Sequence, residues 1–162
     1  MKVTTKPFHA ALSGRGIYGE GHRKSLVTVK KISIEEKISF WREVMEYAKS
    51  RCIRVFLFTW NVFVYGTEDS GYGITEDQNN PVTREYFYYG TKALLETYPL
   101  LAGIGVTAGE NMTFNGASTD DASSFSDTDV GFIAETYGRA ISDYMKEHPE
   151  RDLTMIHRMQ MA

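Results

Sequence analysis

The sequence predicts an α/β fold, a (β/α)8 TIM-type barrel present as about half a barrel of parallel strands and covering helices, spanning 1–162 as one domain. Three observations predict it. Strand-length apolar runs alternate with helical periods, those runs are apolar on both faces, and the long connections all fall at one end of the strands.

The elements follow in order. SLVTVKKIS (Ser25 to Ser33) reads as a strand. Ser33 followed by Glu36 is a capping box, so a helix should begin near Ile34 and present Ile38, Trp41, Met45 and Ala48 on one face. IRVFLFTW (Ile53 to Trp60) is the next strand. A second helix should run from Pro81 to about Thr97, capped by Asn80, with proline at a position whose N–H would have no partner. LAGIGVTA (Leu101 to Ala108) reads as a strand. A third helix is expected after Ser126 to about Glu147, with Ile133, Tyr137, Ala140, Ile141 and Tyr144 on one face. LTMIHRM (Leu153 to Met159) reads as the last strand.

Connections from helix to strand are only a few residues long. Those from strand to helix, Asn61 to Asn80 and Gly109 to Ser126, far exceed the usual two to six or so residues. In α/β barrels the strand-to-helix loops carry function, so a site is expected after Trp60, after Gly109 and after Ile156. A doubly wound sheet would show a glycine-rich phosphate turn between strand and helix. The glycines of GIGVTAGE sit inside the strand instead. Four βα units leave open parallel edges. The barrel is therefore expected to continue beyond Ala162, with pairing of two copies as a homodimer through those edges as the alternative.

Composition narrows the function classes. Apolar residues at 42% and charged residues at 24% are ordinary for a globular protein. A net charge of −3 without a dense basic stripe argues against nucleic acid. No apolar run approaches the ~20 residues of a membrane span, and the N-terminus lacks the apolar core of a secretion signal. The compartment stays open. Cys52 excludes an internal disulfide and reads as a small buried filler. The histidines show no metal-ligand spacing, and neither metal nor cofactor is expected.

The polar groups at the predicted strand ends are Trp60 and Asn61, then Glu110 and Asn111, then His157, Arg158 and Gln160. Groups at equivalent positions of parallel strands should converge on one pocket. An indole to stack on a pyranose face, with carboxylate, amides and guanidinium to hold hydroxyls, suits a carbohydrate. Glu110 is the candidate general acid/base, its alternatives being substrate binding or the anchoring of a loop or helix end. His157 and Arg158 either orient a carboxylate-bearing sugar or form an internal ion pair. Trp60 is either platform or core. Glu68, Asp69, Glu76 and Asp77 in the long loop are acids of the kind usually found solvated.

At these residues the chain resembles a family. ISFWREVMEYAKSRCIRVFLFTWNVFVYG, GITEDQNNPVTREYF, TYPLLAGIGVTAGENM and IHRMQM resemble segments of uncharacterised bacterial glycoside-hydrolase-like barrel proteins, broadly similar to α-glucuronidases. The resemblance covers roughly Ile32 to Met161, TWN and AGEN being its most specific pieces. It implies a barrel acting on plant or algal polysaccharide, Glu110 at the acid position, and relatives that are secreted or periplasmic. The family barrel is longer, so its nucleophile has no matching position here. Two alternatives stand beside a glycosidase part. One is a carbohydrate-binding barrel without turnover, and the other is an incomplete gene fragment with no activity of its own.

Overall fold

The computed structural model describes residues 32–60, 62, 64, 71–108 and 131–159. In order these form α1 (Ile34–Lys49), β1 (Val55–Trp60), α2 (Pro81–Thr97), β2 (Leu101–Ala108), a π-helical turn (Ala134–Gly138) running into α3 (Arg139–Glu147), and β3 (Thr154–Met159). The strands form a parallel sheet in the order β1-β2-β3. The α/β class and its parallel strands are as expected. The strand predicted at Ser25 to Ser33 lies outside the described residues up to Lys31; Ser33 itself is the N-cap of α1. The two flanking strands start slightly later than predicted, at Val55 and Thr154.

α1 and α2 begin for reasons visible in their own residues. Ser33 Oγ accepts from the Glu36 N–H at 3.1 Å, and the Ser33 N–H donates back to Glu36 Oε2 at 2.7 Å, satisfying two N–H groups that a bare helix start would leave over. Asn80 Oδ1 accepts from the Val82 N–H at 2.9 Å, with Pro81 at the first helical position. α2 and α3 end alike. Tyr98 and His148 each precede a proline, which pushes them out of the helical region to φ −123° and −130°. Each carbonyl then accepts the N–H three residues on, Leu101 or Arg151, at 3.0 Å. That repeated turn makes the helix-to-strand connections short.

Register shows which faces the strands present. Thr59, Val106 and His157 lie in one row, and Trp60, Thr107 and Arg158 in the next. Val55, Leu57, Ile104, Val106 and Met155 belong to one core cluster with residues of α1, α2 and α3, so the three helices cover one face of the sheet. Ala102 is the extra residue of a register shift opposite Val55, which keeps both Leu101 and Ile104 on that covered face. Phe87 sits at the centre of the core, its ring 5.6 Å from Phe132 and 5.5 Å from Tyr137. The far face carries Phe56, Phe58 and Trp60 from β1 and Gly103, Gly105 and Thr107 from β2.

One expectation is corrected. Cys52 is exposed, not buried. It follows the last turn of α1, where the Ile53 N–H donates back to the Ala48 carbonyl and the Cys52 N–H to that of Lys49, both at 3.0 Å. That pair of bonds closes a helix only if the intervening residue turns left-handed, and Cys52 does so with φ +56°. The apolar stretch around it suggested burial; the turn directs it to solvent.

Candidate functional site

The C-terminal edge of the sheet brings together three side chains on the far face: Trp60, Thr107 and Arg158, neighbours across β1, β2 and β3. Trp60 is half-buried, Thr107 buried and Arg158 exposed, so the row grades from a sheltered ring to a solvated cation. A planar apolar surface, a hydroxyl and a fork of N–H donors can together hold one hydroxyl-rich or anionic molecule.

His157 is not part of that row. Consecutive strand residues point to opposite faces, so His157 shares the helix-covered face with Thr59 and Val106 while Arg158 looks the other way. The imidazole is half-buried and its Nε2 is enclosed, with no hydrogen-bond partner among the described residues. The two residues, read together in the sequence, are divided by the pleat. Asn61, Glu110, Asn111 and Gln160 lie outside the described residues, as do Glu68 and Asp69. Glu76 and Asp77 are exposed, and Asp77 Oδ1 accepts from the Asn79 N–H at 2.9 Å in the turn before α2.

Tyr137 supports the edge from behind. It is fully buried, and its hydroxyl donates to the backbone carbonyl of Trp60 at 3.3 Å. Burial pushes that hydroxyl well above the ordinary tyrosine value, so it stays protonated and keeps donating. The π turn is what delivers it. Phe132, Thr136, Ala140 and Tyr144 are all buried, as are Ile133, Tyr137 and Ile141, both at strict steps of four. An α-helix repeating every ~3.6 residues would rotate such a series off the core. One wider turn restores the alignment, and π turns of this kind are frequent beside functional sites. The four-residue spacing was present in the sequence and could have announced the turn. Thr107 was also missed, although it pairs in register with Trp60.

The connection after Trp60 returns to the core before α2 starts. Ile74 is buried, Thr83 Oγ1 donates to the Thr75 carbonyl at 2.8 Å and accepts from the Thr75 N–H at 3.0 Å. Asn80 Nδ2 donates to the Gly73 carbonyl at 2.8 Å. The segment 73–80 is thus pinned to the N-terminus of α2, beside the C-terminal ends of the strands. Among the described residues no group of three or more His, Cys, Asp or Glu could hold a metal ion, and no helix is long and apolar enough to cross a membrane.

No family model, no curated protein and no solved structure matches this chain.

Proposed function

We propose that the chain is part of a glycoside hydrolase of (β/α)8-barrel type acting on a polysaccharide or oligosaccharide, with Glu110 as general acid/base. The observation that supports it best is the row Trp60, Thr107 and Arg158 at the C-terminal strand edge. That edge is where barrel enzymes keep their sites, and these groups are the kinds that bind sugars. The barrel reading rests on a sheet of sequential order whose described helices lie on one face. A doubly wound sheet would place helices on both faces and reverse its order at a switch point.

Glu110 follows the last residue of β2 by two positions. In the proposed reaction Glu110, protonated, gives its proton to the glycosidic oxygen as the bond to the anomeric carbon breaks. A second carboxylate acts on the opposite face of the ring, either as nucleophile or through a water. Trp60 stacks on the sugar, Arg158 and Thr107 hold its oxygens, and Tyr137 keeps the end of β1 in place.

In a full-length barrel that contains this chain, Glu110→Gln is expected to slow hydrolysis of soluble plant and algal polysaccharides by about a hundredfold or more, with sugar binding retained. Turnover by the variant at the wild-type rate would remove Glu110 from the mechanism. One observation favours a second reading: the three described side chains at the edge are all binding groups, which suits a carbohydrate-binding barrel without turnover. Full-length wild-type protein that binds these polymers and leaves them intact would select it.

A further inference from the structure

We infer that Tyr72 is a second sugar-stacking residue, on the rim beyond the Trp60 row, and that the molecule bound is an extended glycan chain. The inference rests on the carbohydrate reading above.

Tyr72 is 65% exposed, the most exposed of the large apolar or aromatic side chains described. It stands between two left-handed glycines, Gly71 at φ +74° and Gly73 at φ +73°. A side chain at either position would be strained, and no neighbouring atom lies within 4 Å of the place a Cβ would occupy. The tip therefore projects from the body of the fold.

It is nonetheless held. One residue beyond Tyr72, the Gly73 carbonyl accepts from Asn80, the residue that caps α2. Ile74, the next residue, is anchored in the core at 3% exposure. The backbone that follows Tyr72 is thus pinned, and the phenol ring is displayed in water. A solvated aromatic ring is what the apolar face of a pyranose stacks against, and the pinned backbone beside it lowers the entropy lost on binding. Tyr72 belongs to the loop that leaves β1 after Trp60 and ends on α2, so it stands on the strand-end side but over the helix layer. A monosaccharide in the Trp60 row would not extend there. A chain of several sugar rings crossing the rim would.

The test is affinity electrophoresis of the full chain in gels containing xylan, pectin or alginate, together with binding of the corresponding methyl monosaccharides by calorimetry. Tyr72→Ala is expected to weaken retardation by at least one polymer about five- to tenfold, with monosaccharide binding and melting temperature unchanged. Tyr72→Phe keeps the ring and should bind as the wild type does. If the wild type is retarded and Tyr72→Ala is retarded equally, the rim role of Tyr72 is overturned while the carbohydrate reading stands. If Tyr72→Ala lowers the melting temperature along with binding, the ring is a structural prop and the inference is overturned. If no polymer retards the wild type, both the inference and the carbohydrate reading fall.

Discussion

Cys52 illustrates how one residue can be set by a turn and not by its own chemistry. Its φ of +56° closes the end of α1, although left-handed backbone costs a residue with a Cβ about 1–2 kcal/mol. Glycine avoids that penalty and loses part of the gain to its greater freedom when unfolded. Cys52→Gly is therefore expected to stabilise the protein by about 0.5–1 kcal/mol, read as a higher urea midpoint with unchanged slope. A lower midpoint would show that the thiol makes a contact which outweighs the strain. His157 and Arg158 teach the same lesson at the site. Adjacent in sequence and chemically alike as partners for an acid, they are sent to opposite faces of the sheet by the pleat.

At the scale of the element, the central strand works because it is narrow. A Cβ on Gly103 would land on the backbone carbonyl of Thr154 in β3, whereas one on Gly105 would land on the ring of Phe58 in β1. Backbone can yield only by giving up the β2–β3 register. The Phe58 ring is 50% exposed and can swing outward. Gly103→Ala is thus expected to destabilise by about 3 kcal/mol or more, and Gly105→Ala by about 1 kcal/mol, in parallel denaturant titrations. Equal losses would mean that the strands move apart as readily as the ring does. The helices show a comparable division of labour. α2 and the following helical segment meet through the core rings and are aligned outside by Arg84 with Glu135, Tyr88 with Asp143 at 3.1 Å, and Lys92 with Glu147 at 2.7 Å. In the two ion pairs the basic side chain is half-buried and the acid exposed, so they add modest stability and chiefly set how the helices lie along each other.

For the molecule as a whole, the protons held by its tyrosines set one limit of stability. Burial raises Tyr137 and Tyr98, and raises Tyr88 and Tyr144 as well, while the hydrogen bond to Glu147 raises Lys92. Each group holds its proton more tightly in the folded chain than in the unfolded one. Their contribution is complete below the unfolded values, near pH 10, and is lost as pH rises through the higher folded values. The urea midpoint is expected to be level between about pH 8 and 9 and to fall above about pH 10. Tyr137→Phe, which has no phenol to ionise, should show a shallower fall. An identical alkaline slope in the variant would exclude Tyr137 as a cause. At the acid end Asp143 works in the opposite sense. Its hydrogen bonds to Lys146 and Tyr88 hold it below the ordinary carboxylate value, so its contribution is lost as pH falls through that lowered value.

Sequence alone determined the α/β class, the three described helices and the parallel strands. Each of these rests on local physics: caps at Ser33 and Asn80, prolines after Tyr98 and His148, and apolar periods that differ between helix and strand. Glu110, Asn111, Asn61 and Gln160 were legible as chemistry-bearing residues, but they lie outside the described residues. What only the tertiary structure decided depends on register between distant segments. It put Trp60, Thr107 and Arg158 in one row, turned His157 toward the helices, exposed Cys52 and brought the hydroxyl of Tyr137 to the carbonyl of Trp60. A one-residue shift in any strand would reverse its faces, and nothing within a strand's own residues specifies the neighbour against which it is aligned.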